Sequence, residues 1–183
     1  MSVPPPTVRE IPQLVVNRAP APGLSSRLVS VVVHVVGARA TAEVDLTGPW
    51  DPAVARLDVG TTRLAIRLPS GSKLFSGKIA EVETRMGEDA ATTTVLFARG
   101  SAPAGESDRV MPLRIGADLV SGAVRRGTEG ATVRGVSTVQ LHRGSRVRLL
   151  SEDAEVGGPF QVTELWSRFD TERGLRVEFI ATR

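Results

Sequence analysis

The sequence predicts an all-β chain of barrel or sandwich type, organised as two small units. Three observations lead there. Apolar and polar residues alternate with a period of two in run after run; the runs are short and separated by Gly, Pro, Ser and Asp; and no long stretch keeps the 3.6-residue period of an amphipathic helix. Many short strands leave many edges, and a folded chain hides edges by closing or pairing its sheets.

Taken in order, residues 1–26 hold PPP, APAP and GLSS and read as an extended arm, because proline lacks the amide donor and restricts its predecessor. The first unit is expected over residues 27–100. LVSVVVHVV (28–36) is a β-branched run, and ARATAEVDL (38–46) sets Ala38, Ala40, Ala42, Val44 and Leu46 on one face and Arg39, Thr41, Glu43 and Asp45 on the other. TRLAIRL (62–68), KLFSGKIAEVETR (73–85) and ATTTVLFAR (91–99) follow, separated by the turn segments PSGS and MGEDA. Residues 101–108, small, polar and Pro/Gly-containing, form the expected linker. The second unit, 109–183, repeats the β-rich pattern and ends in a hairpin that returns at Gly174. Within it DLVSGAVRR (118–126) is the only segment that could make a turn or two of helix, so at most one short helix is expected. No internal repeat is legible.

At 183 residues with 41% hydrophobic and 23% charged side chains, the chain can bury a real core. The absence of cysteine removes disulfides, thiolate nucleophiles and Cys-based zinc sites. The opening MSVPPPTVREIPQ has neither a basic start nor an apolar core, and the longest apolar run, 29–37, is too short to span a bilayer. A non-exported protein with no membrane segment is expected. The pI near 10.4 overstates a net charge of only +3, since Lys73 and Lys78 are the only lysines and tyrosine is missing.

No catalytic, cofactor-binding or metal-ligating constellation emerges, and the expectation is a non-enzyme without cofactors. His34 lies in a valine run, where a satisfied strand-face histidine or a gap-filler outweighs a catalytic one. His142 follows GVSTVQLHRG, but Ser137 lacks the second glycine of a nucleophile elbow. GSKLFSGKI (71–79) has the wrong glycine spacing for a phosphate loop, and Ile79 stands where a magnesium-binding hydroxyl belongs. Glu81, Glu83, Glu88 and Asp89, like Glu152, Asp153 and Glu155, lack the spacing of a calcium loop. Residues 109–148 hold eight arginines against Asp118 and Glu129, yet no aromatic residue on which bases would stack. A nucleic-acid-binding small β-barrel is therefore the alternative reading, and arginines on a subunit interface, paired to acidic rims such as SEDAE, the preferred one.

The ending adds a likeness. Gly144-Ser-Arg-Val-Arg-Leu-Leu, then Gly158-Pro-Phe-Gln-Val-Thr-Glu, Arg168-Phe-Asp170 and Gly174-Leu-Arg-Val-Glu-Phe179 resemble the closing strands of the phage tail-hub family, also called late-control protein D. Its pattern there runs G-x-x-V-x-L, G-x-[YF]-x-V-x-x-[VL]-x-H-x-[FY]-[DS] and G-[YF]-x-T-x-[FL]. Leu74-Phe75-Ser76-Gly77-Lys78-Ile79 with Glu81-Val-Glu83, preceded by the Asp58-Val-Gly60 turn, resembles its LF-x-G-x-[IV] strand. Phe160, Val162, Leu165, Trp166 and Phe169 do not keep one alternation, which predicts a bulge near Glu164 and Leu165, with Val177 and Phe179 inward and Arg176 and Glu178 outward. Family members are longer, and their frequent histidine is Ser167 here, so the chain resembles a shortened member.

The resemblance implies tail-hub-like tube β-barrels, and a baseplate hub or tube-to-spike adaptor of a phage tail or phage-like contractile injection system. It implies a homo-oligomeric ring, trimeric or else hexameric, that continues the inner tube, assembles in the cytoplasm and ends in the particle's tail or baseplate. Its partners would be the tail tube protein, the spike protein and other baseplate proteins, with nucleic acid at most passing through the lumen. Arg125, Arg126, Arg146, Arg148 and Trp166 are the candidate interface or lumen residues.

Overall fold

The computed structural model describes residues 11–48, 52–87, 91–105, 109–128, 130–151 and 156–183. Among these residues thirteen strands and two single-turn helices follow in the order β1 (Gln13–Val16), β2 (Ala19–Pro20), α1 (Pro22–Ser25), β3 (Leu28–Val36), β4 (Arg39–Thr47), α2 (Pro52–Ala55), β5 (Arg63–Arg67), β6 (Lys73–Met86), β7 (Thr92–Ser101), β8 (Val110–Arg114), β9 (Leu119–Gly127), β10 (Gly130–Ser137), β11 (Arg146–Leu150), β12 (Phe160–Asp170) and β13 (Gly174–Thr182).

The strands form one sheet in the order β2-β1-β5-β6-β7-β4-β3-β12-β13-β10-β9, with β11 pairing β12 and β8. Every pairing of strands is antiparallel except β8 with β11. Alternate residues of both halves sink into one apolar cluster, among them Val31, Val33 and Val35 of β3, Leu64 and Ile66 of β5, and Val177 and Phe179 of β13. Among the described residues the helices are four residues long each, too short to cover that face. Among the described residues, that cluster is therefore covered mainly by strands of the same sheet.

One expectation is corrected. Leu119–Gly127 is strand rather than helix, because it zips along β10 from Ser121 opposite Val136 to Gly127 opposite Gly130. The helices lie instead at Pro22–Ser25, where Pro22 sits at the first helical position, and at Pro52–Ala55. Of residues 1–26, Gln13–Val16 is seated on β5 with Leu14 fully buried, while residues 1–10 lie outside the described residues. In the stretch 101–108, Ser101 closes β7, Ala104 bridges to Arg143, and residues 106–108 lie outside the described residues.

The structure also contains a repeat that the sequence conceals. The strands of β3 to β7 are ordered β5-β6-β7-β4-β3, and those of β9 to β13 are ordered β11-β12-β13-β10-β9, the same arrangement twice. Registers coincide. Ser30 opposite Asp45 corresponds to Ser121 opposite Val136, Arg63 opposite Lys78 to Arg146 opposite Gln161, and Glu81 opposite Phe97 to Glu164 opposite Ile180. Irregularities coincide too: β3/β4 and β9/β10 each slip by one residue at Val29 and Val120, and β6/β7 and β12/β13 slip at Ala80 and Thr163. Before each second hairpin, the amide of Gly60 donates to Ile79 O at 2.7 Å and that of Gly144 to Val162 O at 2.8 Å. Their φ values of 84° and 87° are ones that glycine adopts without strain. A strand pair demands only alternation and turn chemistry, so the two units share few identities and no visible sequence period.

Candidate assembly interface

The two units meet at a seam. β12 is eleven residues long and serves two neighbours along one edge. Arg146 and Val147 of β11 lie opposite Gln161 and Phe160 at its start, whereas Glu164 to Asp170 lie opposite Val36 to Ser30 of β3. The handover occurs at the Thr163 bulge, whose hydroxyl donates to Ile180 O at 3.2 Å. This is one residue before the position that the broken alternation predicts. Because a bulge reverses which side faces in, Phe160 and Val162 point to the core before it, and Leu165, Ser167 and Phe169 after it. Trp166 is thereby turned to the open face.

On that open face His34 stacks on Trp166, with ring centroids 4.5 Å apart and planes 8° from parallel. His34 Nε2 lies 2.8 Å from Glu164 Oε1. On the other face the seam is closed by Val31, Val33 and Val35 against Leu165 and Phe169, all buried. His34 is thus the hydrogen-bonded strand-face histidine that the valine run suggested.

Trp166 also forms the ridge between two open grooves. One, of about 510 Å³, is lined by Ala123, Arg134, Gly135, Val136 and Ile180. The other, of about 630 Å³, is lined by Val32, Thr41, Glu43, Phe97, Arg99 and Arg168. Charges of both signs border them: Arg168 Nε is 2.9 Å from Glu178 Oε1, and Arg85 reaches Glu83 at 3.3 Å and Glu43 at 3.5 Å. Exposed pairs of this kind add little to folding stability, because solvent screens both charges.

The predicted arginines fall on two strands that are not neighbours. Arg125 and Arg126 are exposed on β9, the strand that ends the sheet; Arg146 and Arg148 are exposed on β11 between β8 and β12. Of the acidic rim SEDAE, residues 152–155 lie outside the described residues, as do Glu88, Asp89 and Glu129. Two features escaped the sequence reading: the His34–Trp166–Glu164 cluster, whose members are 130 residues apart in sequence, and the unpaired edge of β6 beyond its bulge. Residues 81–86 pair with β7 on one side and, among the described residues, with no strand on the other.

The remaining candidates are committed elsewhere. Ser137 Oγ donates to Asp118 O at 3.0 Å and accepts the Val139 amide at 3.0 Å, tying the β8–β9 turn to β10. Among the described residues no three His, Asp or Glu side chains gather to hold a metal, and no helix is long and apolar enough to cross a membrane. His142 lines a small recess with Arg109, Met111 and Ser145, and burial holds its imidazole below the ordinary range. The native state therefore resists protonation there. Its contribution to stability is present above about pH 6.5, the unfolded value, and is lost as pH falls through the lower folded value. Urea midpoints are expected to drop between pH 7.5 and pH 5, and His142→Gln to shrink that drop; an unchanged slope would refute the assignment.

No family model matches the sequence, and no curated protein matches it. Solved structures do. A tail protein from Neisseria meningitidis MC58 is similar at a TM-score of 0.67 and 6% identity, over 96% of this chain and 97% of that one. The E. coli c3393 protein, a component of the type VI secretion system with structural similarity to the T4 bacteriophage tail proteins gp27 and gp5, is similar at a TM-score of 0.65 and 9% identity, over 84% of this chain and 73% of that one. The tail protein of prophage MuSo2 from Shewanella oneidensis is similar at 0.59 and 7%, over 95% and 97%. The fold is of the phage-tail type. At such identities the shared feature of this tail-type fold is its backbone layout, and the seam and groove residues above are this chain's own.

Proposed function

We propose that this chain is a structural subunit of a phage tail or phage-like contractile injection system, a baseplate hub or tube-to-spike adaptor of the late-control protein D kind. The observation that carries the reading is the doubled unit inside one chain, set in a tail-type fold: three such chains offer six similar units, enough to match a sixfold tube, whereas a hexamer would offer twelve. The role is scaffolding, without a cofactor or a reaction. Partners are further copies of the chain, the tail tube protein, the spike protein and other baseplate proteins, and the site of action is the tail or baseplate, reached by assembly in the cytoplasm. Arg125, Arg126, Arg146, Arg148 and Trp166 serve the contacts between subunits or with the lumen.

The purified chain is expected to form closed trimers by mass photometry, and rings by negative-stain microscopy, alone or when mixed with tube and spike proteins. A chain that stays monomeric at every concentration, and is unchanged by those partners, would sink the proposal.

A further inference from the structure

The chain itself contains one unit-to-unit joint, and its repeat leaves the two halves of a second joint open. In the internal joint the outer edge of β3 is zipped onto β12 just past its bulge. The repeat counterpart of β3 is β9, whose outer edge beyond the Ile115–Leu119 bridge pairs with no strand among the described residues; the counterpart of the receiving stretch of β12 is residues 81–86 of β6, past the Ala80 bulge, also free among the described residues. We infer that copies of this chain join head to tail by strand addition, β9 of one copy pairing antiparallel with residues 81–86 of the next. The inference rests on the ring-forming role proposed above and specifies its contact.

Transposing the internal register fixes the pairs. Val32 opposite Arg168, His34 opposite Trp166 and Val36 opposite Glu164 become Ala123 opposite Arg85, Arg125 opposite Glu83 and Gly127 opposite Glu81. The chemistry is complementary. Where His34 bonds Glu164 inside the chain, Arg125 would lie between Glu81 and Glu83, two like charges on the same face of β6. On the reverse face Val124 and Arg126 meet Thr84 and Val82.

Two further observations agree. Met86 is 82% exposed, whereas Phe169, its counterpart beneath the internal joint, is 2% exposed; a second strand would cover Met86 as β3 covers Phe169. β9 is nine residues long and carries no proline, which would remove an edge donor, while Ser121, Gly122 and Ala123 keep it narrow. Plug and socket are different surfaces, so the contact is heterologous and propagates until the ring closes.

Thiol cross-linking tests this cleanly, since the chain has no cysteine of its own. Residues directly opposed in an antiparallel pair have Cα atoms about 4.5–5.5 Å apart, within disulfide reach. Glu83→Cys and Arg125→Cys chains, oxidised separately, are expected to remain uncross-linked; mixed, they give a covalent dimer, and the double variant gives a ladder ending at the closed ring. Arg125→Glu is expected to weaken assembly on the order of tenfold, with partial recovery on adding Glu81→Arg. Equal cross-linking of Arg125→Cys alone would mean that β9 pairs with itself, and overturns the inference. Rings by mass photometry in a mixture that does not cross-link overturn the pairing but leave the ring reading standing; a monomer at all concentrations overturns both.

Discussion

Gly100→Val is expected to remove most of the stability of the fold. Gly100 of β7 lies between Ala40 of β4 and Gly77 of β6. A β-carbon on it would overlap the carbonyl of Ser76 and the Cα of Gly77, and one on Gly77 would overlap the Arg99 carbonyl. These are backbone atoms of the facing strand, so no side-chain rotation relieves the contact. Relief would require the β6–β7 ladder, the longest of the first unit, to part. Overpacked core sites cost about 1–3 kcal/mol where side chains can yield, and a site bounded by backbone is expected at or above that upper end, against a typical total of about 5–15 kcal/mol. Gly23→Ala, with nothing within 4 Å and no positive φ, is the control and should not lower the urea midpoint. A Gly100→Val protein as stable as the parent would show that the two glycines are not in close approach.

Phe179→Ala is the second large effect, expected at about 3–5 kcal/mol. The ring is 1% exposed and lies opposite Gly135 on one side and Leu165 on the other. Its Cε1 and Cζ come within 3.0 Å of where a Gly135 β-carbon would stand, with Leu119 Cδ1 at 2.9 Å. Glycine at 135 therefore makes room for the ring. Truncation leaves a cavity between three strands whose backbones cannot collapse together, and for a chain of this size the melting temperature should fall by roughly 10 °C. The coupling is checkable: Gly135→Ala should destabilise the parent but be neutral or favourable in Phe179→Ala, a non-additivity that distant sites do not show. Additive effects would refute the packing account.

The alternation of residues 38–46 and the β-branched run 28–36 located β4 and β3 because a half-buried strand must place apolar side chains on every second position, whatever its neighbours. Turn chemistry located the hairpin at Gly174 for the same local reason, and the broken alternation of β12 revealed a bulge to within a residue or two. DLVSGAVRR was misread because nine residues of small and β-branched character are ambiguous until β10 is known to lie beside them. The candidate interface was legible only in pieces. Arg125 and Trp166 were visible as exposed chemistry, but nothing local links Trp166 to His34.

What the amino-acid sequence alone determined was the all-β character and the positions of the strongly alternating strands, since period, propensity and turns are properties of neighbouring residues. The tertiary structure alone decided that two units share one layout, that β12 passes from β11 to β3 at Thr163, and which edges stay open. Those are pairings between residues far apart in the chain, and a backbone ladder accepts nearly any side chain that alternates correctly, so partner and register leave little trace in the sequence.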